Sequence, residues 1–227
     1  RKIVYNMQIE EIKNQAGKLA KNIDRELSLK KEKISYLSNN CTRIINSKTT
    51  SPSIKSRLKI LIRCAFHSES VFILDTNGDI AVTNVDDIQI RNYAGRNFFK
   101  EAMKGDVYVS EPVMEQGKGY MYYSAPVRNY KKEIVGILVI KHQAEELWKL
   151  IEDEKDYLGK GSLCILTDGY GVRIAHATNR NLIFKSWVML DPAVKKNLEM
   201  ERHYGEDITE IGFTEIPEVS KALAQNA

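Results

Sequence analysis

The chain has 227 residues, of which 43% are hydrophobic and 28% are charged, a balance that indicates a folded protein with a sizeable core and excludes disorder. The net charge of +4 is too small to indicate nucleic-acid binding, and the longest apolar run, 134–140, is far shorter than the roughly 20 residues of a membrane span. Three cysteines without metal or disulfide spacing predict free thiols.

The first 50 residues predict one long amphipathic helix. Apolar residues recur at steps of three, four and once seven, which is a heptad-like spacing, and charged residues fill the gaps. The apolar positions are Ile12, Ala16, Leu19, Ile23, Leu27, Ile34, Leu37, Cys41 and Ile44. Two interpretations stay open: the helix packs on the core of a domain, or it also packs against its twin in a homodimer. Each can hold for a different half of the helix.

A first group of strands follows this helix. Residues 47–53 have the composition of a linker, and residues 54–67 predict a short helix. The dipeptide Asn77-Gly78 between two apolar runs indicates a hairpin, because both residues tolerate a positive φ. Helical spacing then runs over residues 96–104. The five predicted strands are 70–75, 79–84, 107–114, 120–127 and 134–141.

The same pattern returns later in the chain. After a predicted helix at 145–157, an apolar strand, a glycine-containing turn at 168–171 and a second strand match residues 71–84 at an offset of about 90 residues. A repeat of this length predicts two copies of one domain rather than a solenoid. A further helix is predicted at 192–201. Because the second copy lacks counterparts of the last three strands, we expect it to continue beyond residue 227.

Several segments of the chain resemble double Cache domains, which are the PAS-like extracytoplasmic sensors of chemoreceptors, sensor histidine kinases and diguanylate cyclases. The resemblance depends on the order and spacing of the motifs together rather than on any single motif. The matching segments are 95–105, 108–112, 122–127 and 136–141 in the first copy and 167–176 in the second.

This resemblance implies an α+β fold with three parts. A long N-terminal helix (1–50) precedes a membrane-distal, ligand-binding unit (51–144). A linker helix with a partial membrane-proximal unit (145–227) follows. Each unit is expected to contain an antiparallel five-stranded sheet, the second of which is incomplete at the C-terminus.

In such sensors the ligand lies in the distal unit, and Arg96 falls at the position that holds a ligand carboxylate. A guanidinium suits this role because it pairs with a carboxylate through two parallel hydrogen bonds. The amino-acid-binding members carry an Asp at the end of the last strand, which holds the ligand ammonium, and here that position is Lys141. The resemblance is therefore closer to the dicarboxylate-sensing kinases, and it implies an acid with an anion or strong acceptor at each end.

The other side chains that the resemblance implies around the ligand are aromatic rings and hydroxyl groups: Phe98, Tyr108, Ser110, Tyr120, Tyr122 and Ser124. By strand alternation, Tyr120, Tyr122 and Ser124 point to one face of their strand. Simpler interpretations stay open as well. In these, Arg96 is an exposed residue at a helix start, Lys141 is a solvated lysine at a strand end, and the aromatic residues pack in the core.

The sequence does not support other site chemistry. Residues 75–79 resemble the start of a calcium loop, but Ile80 replaces the glycine that such a loop requires. The four histidines show no metal-ligand spacing: His67, His142, His176 and His203. The sequence has no Gly-x-Ser-x-Gly elbow and no other indication of a nucleophile with its base. We therefore expect no enzyme activity, no catalytic residue, no metal and no cofactor.

The sequence thus predicts an extracytoplasmic sensor segment of a membrane protein. It is expected to bind a small organic acid, to form a homodimer through its N-terminal helix and to bind no nucleic acid. Flanking transmembrane helices and a cytoplasmic signalling domain are expected in the full-length protein. Two alternatives remain. One is a structural or interaction module in which Arg96 pairs with an internal carboxylate such as Glu101 or Glu111, and the other is a Cache sensor for an amine, amino acid or purine.

Overall fold

The computed structural model describes residues 2–42, 56, 60, 70–85 and 92–215. The predicted linker 47–53 lies outside these residues. The predicted helix 54–67 also lies outside them except for two positions, 56 and 60, and both are helical.

The chain divides into two compact units. The first comprises Arg1–Ser110 and Met121–His142, and the second comprises Glu111–Tyr120 and Gln143–Ala227. The segment 111–120, which the sequence analysis assigned to the first unit, therefore groups with the second. The boundary near residue 142 lies close to the one expected at residue 144.

One long helix, α1 (Lys2–Asn39), opens the first unit. Its second half packs on the core of that unit, where Ile34 and Leu37 are buried. The helix ends at Asn39, and beyond it Asn40 Nδ2 donates to Tyr36 O at 2.8 Å and satisfies a carbonyl of the last turn. The rest of the predicted helix, residues 43–50, lies outside the described part of the chain.

Among the described residues, the main sheet has six strands in the order β2-β1-β6-β5-β3, with β4 pairing with β5. The strands are β1 Ser70–Leu74, β2 Ile80–Thr83, β3 Tyr108–Val109, β4 Val113–Glu115, β5 Lys118–Arg128 and β6 Ile134–Gln143. Helix α2 (Asn97–Lys104) lies between β2 and β3 in the chain. The pairs β1–β2, β1–β6, β3–β5 and β4–β5 are antiparallel. Residues 121–127 of β5 are all buried, which shows that both faces of the sheet are covered there.

The sheet has one strand more than the predicted five, because the predicted strand 107–114 is split in two. Pro112 has no N–H to donate to a strand ladder. Ser110 bonds to Tyr122 twice: its N–H donates to Tyr122 O, and its Oγ accepts from Tyr122 N, both at 2.8 Å. The hydroxyl oxygen takes the role of a ladder carbonyl, and regular pairing of this strand ends there.

The predicted strand–turn–strand pattern occurs in both places, and its two turns share one hydrogen-bond pattern. Asp75 Oδ1 accepts from the backbone N–H groups two and four residues later, at 2.8 and 3.0 Å. Asp168 Oδ1 accepts from the same two positions of its own turn, both at 2.9 Å. Each Asp is followed three residues later by a glycine with positive φ, +86° at Gly78 and +80° at Gly171. The calcium-loop resemblance of residues 75–79 is thereby explained as a hairpin turn.

Between residues 143 and 215, the described part of the second unit contains two helices, a short 3-10 helix and a two-stranded sheet. These elements are α3 Glu145–Glu152, β7 Ile165–Thr167, β8 Arg173–His176, the 3-10 helix Arg180–Leu182 and α4 Pro192–Met200. Strands β7 and β8 pair antiparallel, and no third strand joins them among the described residues. Helix α3 is shorter than the predicted 145–157. Its buried Trp148 donates from Nε1 to Ile174 O at 2.9 Å, which fixes the helix against β8.

The α+β class and the long N-terminal helix are as predicted. Within the described residues, none of the helices combines the length and the apolar character that crossing a membrane requires. Cys41 and Cys164 are free thiols, in agreement with the prediction, whereas Cys64 lies outside the described residues.

Candidate functional site

The candidate site is a row of aromatic rings on one face of the sheet in the first unit. Phe98 stacks on Tyr122, with ring centroids 4.6 Å apart and ring planes at 19°. Phe98 also contacts Tyr93 at 5.7 Å, and Tyr93 stacks on Phe72 at 5.0 Å. All four rings are buried. The row therefore connects β1, the loop before α2, α2 itself and β5.

Helix α2 brings Phe98 to this face because its apolar residues share one side of the helix. Phe98, Phe99 and Ala102 are buried on that side. Gly105 ends the helix in the left-handed conformation, with φ of 107°, and its N–H donates to the carbonyl of Ala102. The predicted helix 96–104 is thus confirmed to within one residue.

Ser124 attaches α2 to strand β5. Its Oγ donates to Phe98 O at 2.7 Å, and the residue is fully buried, so the hydroxyl proton is already used inside the protein. Tyr108 lies directly opposite Ser124 in the β3–β5 pair. Its side chain is half-buried and lies on the same face, because residues opposite each other in an antiparallel pair share a face.

Lys141 places a positive charge on this face. Lys141 is the partner of Ser70 in the β1–β6 pair, and Phe72 lies two residues after Ser70 on β1. Residues two apart on a strand point to the same face, so Lys141 and Phe72 share a face of the sheet. The Nζ of Lys141 lies 5.8 Å from the centroid of the Tyr122 ring, within the range of a cation–π interaction. The side chain is half-buried. It therefore points toward the aromatic row, which is the orientation that contact with a ligand anion there would require.

The next residue along β5, Tyr123, points to the opposite face, which α1 covers. Lys30 Nζ on α1 lies 5.6 Å from the centroid of the Tyr123 ring. The His142 ring meets Tyr123 edge-on at 6.1 Å. The predicted alternation of side chains in β5 is therefore observed, and the cation on the candidate face belongs to Lys141 rather than to α1.

The remaining predicted residues have different surroundings. Arg96 is the N-cap residue of α2, half-buried and two positions before Phe98. Ser110 uses its Oγ to accept from Tyr122 N. Tyr120 is the one predicted site residue that groups with the second unit; the other seven all lie in the first.

Sequence reasoning missed Tyr93, the ring between Phe72 and Phe98. Tyr93 is only 6% exposed, and its N–H donates to Gly78 O at 2.8 Å, which ties the loop before α2 to the β1–β2 turn. The residue lies three positions before Arg96, in a segment without helical or strand periodicity. An aromatic residue in a polar loop was the only sign that the sequence offered.

Solved structures with a similar fold include three sensor-protein domains. The sensor domain of the V. cholerae histidine kinase DctB has a TM-score of 0.72 at 19% identity, over 92% of this chain and 81% of that chain. The ligand-binding domain of the Pseudomonas fluorescens chemoreceptor CtaA, in complex with L-alanine, has a TM-score of 0.60 at 16% identity, over 78% and 75%. The extracellular domain of the histidine kinase mmHK1S-Z2 has a TM-score of 0.56 at 13% identity, also over 78% and 75%.

No protein-family model matches the sequence, and no curated protein matches it either. By name, the first neighbour is a sensor domain, the second is a ligand-binding domain and the third is an extracellular domain. At these levels of identity they establish the architecture of the chain and leave its ligand open. The chain has the fold of the Cache-type sensor domains found in histidine kinases and chemoreceptors.

Proposed function

We propose that the first unit binds a small organic acid, with a dicarboxylate favoured, and that the chain is the sensing segment of a membrane receptor. The observation that carries this proposal is the position of Lys141, half-buried on the sheet face that α2 covers and with its Nζ near the Tyr122 ring. A fixed cation at this place attracts a ligand anion and repels a ligand ammonium group.

This charge favours an acid over an amino acid as the proposed ligand. The chemoreceptor CtaA was solved with L-alanine and with L-serine, and each of these ligands carries an ammonium group. An ammonium group needs a carboxylate or neutral acceptors as partners. Lys141 offers neither, because its ammonium group is itself only a donor.

Arg96 is proposed as the second cation of the site. It begins α2, the helix whose Phe98 packs on Tyr122. A guanidinium there can hold a carboxylate through two parallel hydrogen bonds. The hydroxyl groups of Tyr108 and Ser110, both on half-buried residues, are proposed to donate to the same acid. Two cations and two hydroxyls suit a four-carbon dicarboxylate.

Calorimetry with succinate tests the role of Arg96. We expect Arg96→Ala to lose about 2–5 kcal/mol of binding free energy, which is the cost of removing one partner of a desolvated charge pair. Lys100→Ala is the matched control, because Lys100 is an exposed residue of the same helix and carries the same charge. Unchanged succinate affinity in Arg96→Ala would refute the anchor role. Equal losses of succinate affinity in both variants would mean that Arg96 acts only through the net charge of the protein.

A second candidate function is a structural or interaction module without a small-molecule ligand. It is favoured by the contact of Phe98 with Tyr122 and by the hydrogen bond of Ser124 to Phe98 O, because these side chains already satisfy one another. A thermal-shift screen against acids, amino acids, amines and purines separates the two functions. A ligand that binds the folded state raises its stability by about 2.7 kcal/mol at a hundredfold excess over Kd, whereas the module shows no shift with any of them.

We further propose that the segment lies outside the cytoplasm, between transmembrane helices, and passes its signal to a cytoplasmic domain. The names of the neighbours support this placement, since they include a kinase sensor domain and an extracellular domain. The first half of α1 is proposed to pair with its twin in a homodimer. Its support is Ile12, which belongs to the apolar stripe and yet is 53% exposed.

A further inference from the structure

Three polar side chains from distant parts of the sequence meet in the second unit. They are Glu111, Asp168 and His203, and one ligand-type atom of each lies within 4.8 Å of the other two. His203 Nε2 lies 2.9 Å from Glu111 Oε2. All three residues are half-buried, with side-chain exposures of 17% for His203 and 37% for Glu111. The cluster is therefore partly enclosed and still partly accessible to solvent.

Asp168 is held in place from two directions. Its Oδ1 accepts two backbone N–H groups of the turn that it begins. Its Oδ2 accepts from the hydroxyl of Tyr204. The phenol of Tyr204 is the donor in this bond, because a carboxylate oxygen only accepts. A carboxylate oxygen that accepts one hydrogen bond still has a second lone pair for a metal.

His203 is positioned by aromatic neighbours. The centroid of its ring lies 4.7 Å from that of Tyr204 and 6.0 Å from that of Tyr170. In both pairs the ring planes are nearly perpendicular. This packing points Nε2 toward Glu111. The hydrogen bond between Nε2 and Glu111 Oε2 places a nitrogen donor and an oxygen donor side by side.

We infer that Glu111, Asp168 and His203 form a binding site for one divalent transition-metal ion, with Zn²⁺ as the representative. An imidazole nitrogen with two carboxylate oxygens is a donor set that suits zinc and its neighbours, whereas calcium and magnesium prefer oxygen ligands alone. Metal–ligand bonds of about 2.0–2.2 Å place the ligand atoms of a tetrahedral site about 3.4 Å apart. The observed spacing needs only small side-chain movements to reach this value. Because the cluster is partly exposed, water can take the fourth position.

The sequence analysis expected no metal, because the ligands of known short motifs lie within a few residues of one another. Here they come from the segment before β4, from the turn between β7 and β8, and from the residues after α4. The site depends on the fold of the second unit and is independent of the acid site proposed in the first.

Calorimetric titration of the chain with Zn²⁺, after removal of bound metal with a chelator, tests this inference. We expect one ion per chain and at least a tenfold loss of affinity in Glu111→Gln and in His203→Gln. Asp168→Asn should lose the same Zn²⁺ affinity, while its amide oxygen still accepts the two backbone hydrogen bonds of the turn. Asp75→Asn is the matched control, because Asp75 makes the same turn bonds without the other two ligands. It should bind Zn²⁺ as the wild type does.

Two further readouts keep the test decisive. Zn²⁺ should raise the melting temperature of the wild type and leave that of Glu111→Gln unchanged. Glu111 is partly exposed, so we expect Glu111→Gln to fold, and a missing shift then reports lost zinc binding. Bound Co²⁺ should show no sulfur-to-metal charge-transfer band. The inference is overturned if the wild type binds no Zn²⁺, if affinity is unchanged in Glu111→Gln and His203→Gln, or if the Co²⁺ spectrum shows thiolate ligation by the cysteines.

Discussion

His176 is a buried histidine whose protonation state the fold determines. It is 4% exposed, and its Nδ1 accepts from the backbone N–H groups of Thr178 at 3.3 Å and Asn179 at 3.1 Å. Both bonds require an unprotonated Nδ1. Burial, and after it the positive charge of Arg173, lower the pKa of His176. The neutral ring is therefore part of the folded structure.

This lowered pKa predicts a loss of stability in mild acid. In the unfolded chain the His176 ring titrates near pH 6.5. Below that pH the ring is protonated in the unfolded state and stays neutral in the folded state until the lower folded pKa is reached. The free energy of unfolding therefore falls as the pH drops from about 6.5 toward the folded pKa. We expect His176→Asn, whose side-chain oxygen can accept the same bonds, to lose less stability than the wild type between pH 7 and pH 5. Parallel stability–pH curves in urea unfolding would contradict this account.

At the scale of elements, the β4–β5 hairpin in the second unit depends on a glycine. Gly119 lies against the ring of Trp148, and a Cβ added at Gly119 would lie 2.1 Å from Cη2 of that ring. The ring is buried and its N–H donates to Ile174 O, so it cannot move away without losing that bond. Gly117, in the same hairpin, has a positive φ of 71° and nothing within 4 Å of an added Cβ.

This difference predicts unequal effects of alanine at the two glycines. Gly119→Ala should reduce the free energy of unfolding by about 2–3 kcal/mol through overpacking, whereas Gly117→Ala should cost only the backbone strain of about 1 kcal/mol. Trp148 and Trp187, the only tryptophans of the chain, both lie in the second unit, so tryptophan fluorescence during urea unfolding reports on it. Equal losses in the two variants would contradict the packing of Trp148 on Gly119.

The elements were predictable where local chemistry decides them. The helix 96–104 and the two Asp-to-Gly turns at 75–78 and 168–171 follow from spacing and turn residues alone. The split of the strand 107–114 was not predicted, because it depends on a side-chain bond between Ser110 and Tyr122, which are far apart in sequence. Pro112 was a visible signal for this break.

At the scale of the whole molecule, the acid site could be predicted only in part and the metal site not at all. Both sites depend on contacts between residues that are far apart in the sequence. Strand alternation placed Tyr122 and Ser124 on one face, but only the sheet order puts Lys141 beside them. Tyr93 reaches the aromatic row through a loop without periodicity. The cluster of Glu111, Asp168 and His203 forms only when the second unit folds, and no spacing in the sequence announces it.

The first half of α1 predicts association of the whole molecule. Ile12 is 53% exposed although it continues the stripe that is buried at Ile34 and Leu37, so a second copy of the helix is the expected partner. Ile12→Lys should weaken the dimer at least tenfold in sedimentation analysis, because a charge in a helix seam is poorly accommodated. Asn14→Lys, about 200° away around the helix, is the control and should leave association unchanged. A wild type that stays monomeric at high concentration would refute this prediction.

The most direct test of the account is the calorimetric ratio of succinate to aspartate affinity, measured in the wild type and in Lys141→Asp. With Lys141 beside the site, the ligand ammonium of aspartate is repelled, so the wild type is predicted to bind succinate about tenfold more tightly or better. In Lys141→Asp the new carboxylate attracts that ammonium, and the ratio should narrow or reverse. A wild type that prefers aspartate, or a ratio that Lys141→Asp leaves unchanged, would contradict the proposed acid site.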